Sequence, residues 1–284
     1  MGDKKFYINL LFILFIQISF SYSQDSSTYN IYSIYREPTN LDVKLFRAIN
    51  NQRTNTLDRI IFITDKSILP ASVLTPAMIF LAARVNKNYY DDNSSVLCAL
   101  SEGTSATLTF GIKMLFKRPR PYEVLKYIRR NQNDMSFTGP YSFPSGHTST
   151  AFSLATSLTL RYPDRPWLIT GLYTYATIVA IGRIYLGVHY PTDILGGIFV
   201  GSGSALLVYS LRKQIISFKN AVFRENTRED KSNNSNFTPF LLLSFVSGDL
   251  LNYLFTNSNN KILNKMNVNL SNQDFYKINL SYQF

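Results

Sequence analysis

The sequence predicts an all-α fold: a helical bundle of five to six core helices, membrane-embedded, with a small C-terminal β-hairpin extension. Two observations lead there. Five long apolar segments succeed one another between residues 68 and 211, and after Arg212 the composition turns abruptly charged and polar before ending in alternating strands. At 284 residues the chain is long enough for one sizeable core with an appendage.

The first element is "MGDKK", a short basic stretch, followed by the apolar run "FYINLLFILFIQISF" and the small-x-small pattern "SYS". This reads as an export signal over residues 1–23, with an uncleaved anchor as the alternative. From Gln24 to Ser67 the chain is polar, with two amphipathic patterns: Leu41, Leu45, Ile49 and then Leu57, Ile60, Ile61. Both are expected to be helices lying on a surface. The apolar segments are Ile68 to Ala83, Val96 to Phe116, Thr148 to Leu160, Trp167 to Ile181 and Ile194 to Leu211. Several are short for a membrane span, the second carries Glu102, and a mean hydropathy of -0.04 is low for a chain built of spans. A soluble bundle with buried helices therefore stays open as the alternative.

Gly197 and Gly201 form a G-x-x-x-G on the last segment, which suits close helix packing in either setting. Cys98, the single cysteine, sits in an apolar run and reads as a buried, inert thiol. "RENTREDKSNNSN" reads as a linker, which puts a boundary near residue 225. Beyond it, Met266, Val268 and Leu270 alternate with polar residues, "SNQD" offers turn chemistry, and Tyr276 to Phe284 alternate again, as a hairpin would. The expected organisation is thus a signal at 1–23, a catalytic helical domain at 24–225, and a linker with its extension at 226–284.

A surplus of 29 Lys+Arg over 18 Asp+Glu, formally +11, suits nucleic acid, an anionic membrane surface or a phosphorylated substrate. The chain has no basic helix interleaved with aromatics and no Cys/His ligand cluster, so nucleic acid lacks its second signal.

Both histidines fall in short polar stretches beside the apolar segments: "PSGH" at Pro144 to His147 and "GRIYLGVHYPTD" at Gly182 to Asp193; a third such stretch is "KMLFKRPRP" from Lys113. If the segments run up and down, Lys113 and Arg120 leave the second, Ser145 and His147 begin the third, Arg183 leaves the fourth, and His189 and Asp193 begin the fifth. All then share one end of the bundle. Like charges gathered there repel unless an anion sits among them, and a phosphate fits. A helix starting at Ser145 aims the N–H groups of Gly146 and His147 at that anion, and Gly146 lets it approach the backbone. Each Arg-Pro dipeptide holds its arginine extended, so the Lys113 helix ends there and Arg120 can fold across it. Pro191 at a first helical position puts Asp193 in the first turn, close enough to take an N–H from the His189 imidazole and leave the other ring nitrogen free to attack.

The set Lys-x6-Arg-Pro, Pro-Ser-Gly-His and Arg-x5-His-x3-Asp, spanning Lys113 to Asp193, resembles the type 2 phosphatidic acid phosphatase (PAP2) superfamily, which includes class A acid phosphatases and vanadium haloperoxidases. The family places a serine before the third-motif arginine; here it is Gly182. The resemblance implies that His189 attacks phosphorus, that Asp193 orients it, and that His147 protonates the leaving oxygen and then activates water. It also implies that Lys113, Arg120, Arg183, Ser145 and Gly146 hold the phosphate oxygens, with no metal and no cofactor. The expected substrate is a lipid phosphate or diphosphate met at the membrane, on the extracytoplasmic side. A soluble periplasmic acid phosphatase is the first alternative, and a haloperoxidase or an inactive phospholipid-binding protein stands behind it.

Overall fold

Asn40, Thr54, Asn88 and Ser145 each cap, through a side-chain oxygen, the helix that follows them. In this computed structural model the described residues are 40–52, 54–129, 139–226, 228–231 and 237–245, with the backbone of 266–268 and 280–282. The expected signal at 1–23 lies outside them. Helix α1 spans Leu41–Asn50, and the Asn40 side chain accepts the Val43 N–H at 2.9 Å to cap it. Its inward face is Val43, Phe46 and Asn50; Leu41 and Leu45, expected to be its packing stripe, are 69% and 46% exposed.

Helix α2, Asn55–Asn86, runs for 32 residues from a Thr54 cap. The separate surface helix expected around Leu57, Ile60 and Ile61 does not exist; those residues form its first turns. No stop signal separates Ser67 from Ile68, and Pro70 and Pro76 both lie inside the helix rather than ending it. Helix α3 spans Tyr89–Phe116 and stops at Lys117, whose φ of 46° is left-handed, one residue before Arg118-Pro119. A single turn, α4 at Pro121–Val124, follows. Then come α5 at Gly146–Arg161, α6 at Pro166–Tyr185, α7 at Pro191–Ser210 and α8 at Arg212–Phe223.

Helices α2, α6 and α7 are long and apolar enough to cross a membrane. Outward-facing side chains on these helices and on α3 are apolar: Val73 on α2 is 71% exposed, Leu115 on α3 80% and Phe199 on α7 60%. A soluble bundle would turn such residues inward, so the membrane-embedded reading of the fold stands.

Glycines set how closely α5 and α7 meet. A Cβ on Gly201 would lie 2.1 Å from the Ser149 carbonyl oxygen, and one on Gly197 2.7 Å from that of Ser145. The two glycines, four residues apart, thus seat one turn of α7 on the first turn of α5, where Ser145 N–H donates to the Asp193 carbonyl at 2.9 Å. This contact splices the second motif to the third.

The far end of the bundle is closed by buried charge. Arg161, at the end of α5, makes a two-pronged contact with Asp230 at 2.7 and 2.9 Å, and Lys219 on α8 pairs with Asp92 at 2.6 Å. Phe237 and Leu241 pack into the same core as Leu154 and Val179, and the Phe237 ring lies 4.2 Å from that of Tyr162. Met266–Val268 and Leu280–Tyr282 pair antiparallel, with Met266 opposite Tyr282. The turn and outer strand residues of the expected hairpin lie outside the described residues.

Candidate active site

Five chain segments converge on one end of the bundle: the middle of α2, the end of α3 with its Arg-Pro corner, the start of α5, the end of α6 and the start of α7. The site residues expected from sequence come together there. His189 is 2% exposed, and its Nε2 lies 3.3 Å from Arg120 Nη1 while its Nδ1 lies 3.4 Å from Asp193 Oδ2. Burial, and then the positive charges of Arg120, Lys113, Arg183 and His147, hold its pKa well below the ordinary histidine range. The ring is therefore neutral at pH 7, with its lone pair available.

Asp193 departs in detail from expectation. Its Oδ2 accepts the Tyr190 N–H at 2.8 Å, as the third residue of a helix commonly does for the residue at the cap, and its Oδ1 accepts Arg118 at 2.7 Å. Among the described residues His189 Nδ1 has no hydrogen-bond partner, so the carboxylate faces the imidazole without a formed bond. Catalytic hydrogen bonds of this kind commonly tighten only around a bound reactant.

Arg120 is 1% exposed and its guanidinium is fixed by main-chain carbonyls: Gly139 at 2.8 Å, Val188 at 2.9 Å and Tyr141 at 3.2 Å. Burial and the neighbouring Arg183 lower its pKa to about 10, still charged at neutral pH. Lys113 Nζ donates to the Tyr141 carbonyl at 2.6 Å and the Ser142 carbonyl at 3.3 Å. The 139–142 loop thus holds both cationic heads in place. Ser145 caps α5: its Oγ accepts the Thr148 N–H at 3.4 Å and the Thr148 hydroxyl at 2.9 Å. A Cβ on Gly146 would meet nothing closer than 3.9 Å, so glycine keeps open space at that helix start. His147 is 5% exposed, and its Nε2 has no hydrogen-bond partner among the described residues. Arg183, 1% exposed, makes an ion pair with Asp65 of α2.

Two residues of this neighbourhood were not singled out from sequence. Arg118 bridges Asp193, Thr192 at 2.6 Å and Asp42 of α1 at 2.6 Å, and lies 4.1 Å from the centre of the Tyr190 ring. Burial works against its charge, but Asp193 and Asp42 outweigh that and raise its pKa above the usual arginine value. The tandem "RPRP" was its signal, but the Lys-x6-Arg spacing singles out Arg120 and gives Arg118 no role. Asp65 lies beside Lys66 on a helix that also carries Asp58 and Arg59, so no local signal set it apart.

The arrangement can bind a tetrahedral oxyanion among three cations, attack it with an uncharged imidazole and exchange a proton through a second imidazole. Comparison with known proteins points the same way. The chain is 25% identical over 215 residues to an undecaprenyl-diphosphatase of Sulfolobus acidocaldarius, a match covering 72% of this chain and 90% of that one. It is 23% identical to the undecaprenyl-diphosphatase BcrC of Bacillus subtilis, over 65% of this chain and 91% of the relative. It is 45% identical over 65 residues to a lipid A 1-phosphatase of Porphyromonas gingivalis, covering 22% of this chain and only 15% of that protein's length. The family model of the PAP2 superfamily matches residues 95–217, the segment that carries all three motifs and both histidines.

Proposed function

We propose that this protein is a lipid phosphatase that releases phosphate from a phosphate monoester or diphosphate through a phosphohistidine formed on His189. The observation that carries it is the pair of buried imidazoles among Lys113, Arg120 and Arg183, with His189 Nε2 turned to the Arg120 guanidinium. The phosphatase names of the relatives support the reaction class, and the apolar outer faces of α2 and α7 support a substrate met within a membrane.

His189 Nε2 attacks phosphorus, and the bond to the leaving oxygen breaks as His147 gives that oxygen a proton. The product alcohol or phosphate departs, and water, losing its proton to His147, attacks the phosphohistidine to release inorganic phosphate and restore both rings. Lys113, Arg120, Arg183, the Ser145 hydroxyl and the Gly146 N–H face the equatorial oxygens, where negative charge grows. Asp193 steadies the positive charge that His189 gains, and Arg118 with Tyr190 N–H holds the carboxylate for it. The cations supply the charge neutralisation that Mg²⁺ supplies in other phosphoryl transfers, so a chelator leaves turnover intact. The site opens on the extracytoplasmic side, the side on which residues 24–67 follow a signal or anchor, and the catalytic domain is the helical unit up to about residue 225, with the remainder its extension.

The test is a panel of short-chain phosphatidate, a polyprenyl diphosphate and a water-soluble aryl phosphate, with His189→Ala beside the wild type. Phosphate release from the lipid substrates, labelled phosphoenzyme trapped in the wild type and neither in His189→Ala are expected. Turnover retained in His189→Ala would remove the nucleophile assignment, and a wild type inactive on every lipid phosphate would remove the substrate class.

A further inference from the structure

We infer that Asp65, which lies on α2 outside all three motifs, is a positioning residue for this reaction: it anchors Arg183 and steadies the proton that His147 delivers. The inference rests on the function proposed above. Asp65 is 5% exposed, and one oxygen of its carboxylate serves two partners. Oδ1 makes the ion pair with Arg183 Nη1 and lies 3.9 Å from His147 Nε2. That separation is too long for a hydrogen bond but well within reach of charge.

Among the described residues, the other groups that face His147 are cationic or neutral. Arg183 comes from α6, Arg120 from the Arg-Pro corner, Lys113 from α3 and His189 from the turn before α7. Burial, then Arg183, Arg120 and Lys113, lower the His147 pKa to about 3; among the charged groups of the described residues that act on the ring, Asp65 works the other way and favours its imidazolium. A general acid needs its proton until the leaving oxygen takes it. The Asp65 carboxylate stabilises that protonated ring before the P–O bond breaks, and the charge vanishes from His147 when the proton moves to the leaving oxygen.

How α2 comes close enough is written at Gly182. A Cβ there would lie 3.1 Å from Ile61 Cγ2, so glycine spares the Ile61 side chain a shift of a few tenths of an ångström where the two helices meet. Asp65 sits one turn beyond Ile61, and Arg183 is the residue after Gly182. The serine expected at 182 is therefore replaced by a close helix contact that delivers a carboxylate to the neighbouring arginine.

The experiment uses the full chain purified in detergent, as wild type, Asp65→Asn and Asp65→Glu, each checked for a cooperative unfolding transition. Turnover is measured against pH on a short-chain dialkylglycerol phosphate, whose alkoxide needs a proton to leave, and on p-nitrophenyl phosphate, whose leaving anion does not. Asp65→Asn is expected to lower kcat on the lipid phosphate by roughly 10- to 100-fold, and markedly less on the aryl phosphate. The basic limb of its kcat profile moves down by about one pH unit or more. Asp65→Glu restores part of both. An equal loss on the two substrates with an unmoved basic limb overturns the inference and leaves Asp65 a structural counter-ion. If Asp65→Asn does not fold, the glutamate variant decides alone: a folded protein with unchanged leaving-group dependence and profile overturns it. A wild type that cleaves neither ester overturns the proposed function itself, a result that does not depend on residue 65.

Discussion

Replacing Gly201 by alanine tests whether the α5–α7 contact governs the active site. The added Cβ would lie 2.1 Å from the Ser149 carbonyl oxygen and 2.9 Å from both the Ser149 carbonyl carbon and the Ser153 nitrogen. All three are main-chain atoms, so no side-chain rotation relieves the clash. Restoring an ordinary contact of about 3.4 Å or more moves the helices apart by roughly an ångström, which exceeds what a packed interior absorbs and costs about 1–3 kcal/mol or more. The same movement stretches the 2.9 Å bond from Ser145 N–H to the Asp193 carbonyl and so separates the start of α5, with His147, from the start of α7, with His189. Gly203 on the same helix is the control, because a Cβ there meets nothing within 4 Å. Gly203→Ala should gain up to about 1 kcal/mol from helix propensity alone. Thermal unfolding in detergent and phosphate release from a short-chain phosphatidate are the assays. Gly201→Ala should unfold at a lower temperature and lose about tenfold or more in kcat/KM, whereas Gly203→Ala keeps its activity. If the two variants unfold alike and turn over alike, the close-packing argument is wrong.

Other consequences are as direct. Arg118→Met removes the cation that links Asp193 to Asp42 and should lower kcat by roughly 10-fold or more with a smaller change in KM if, as proposed, Asp193 orients His189 rather than binding substrate oxygens; a selective rise in KM would contradict this placement. Asp230 sits at the other end of the bundle. Burial raises its pKa, but hydrogen bonds from Arg161 and Asn93 and the Arg161 charge outweigh that and lower it overall. Its contribution to stability is thus complete above the unfolded carboxylate value near 3.8 and disappears as pH falls below that, through the lower folded value. Asp230→Asn should be less stable at pH 7 and lose less on acidification between about pH 5 and pH 2, with no difference in the leaving-group dependence of turnover; parallel stability curves would exclude the linkage.

The helix boundaries nearest the site were legible in the sequence because each is written in local backbone chemistry. Two arginines precede prolines, so α3 ends at Phe116; Ser145 caps α5; Pro191 opens α7 and places Asp193 in its first turn. The first apolar segment was harder. Its start at Ile68 hid the polar turns that precede it, and a single helix of 32 residues took the place of a surface helix followed by a span. Periodicity reports which residues are apolar but gives no stop signal where none exists. Leu41 and Leu45 show the converse: an apolar stripe at helical spacing faces outward, and Val43 and Phe46 face the core. For a chain whose surroundings are apolar, periodicity alone does not distinguish the two sides of a helix.

Residue identity and order along the chain determined the motifs, the end of the bundle they share and the roles open to His147 and His189, since these follow from side-chain chemistry and helix-terminus rules. Only tertiary structure decided that Asp193 is held by Arg118 and Tyr190, and that Asp65 reaches Arg183 across 118 positions of sequence. Such pairings depend on how closely helices approach, and glycines mark the close approaches, against main-chain atoms at Gly197 and Gly201 and against the Ile61 side chain at Gly182, a relation between surfaces that no single segment contains.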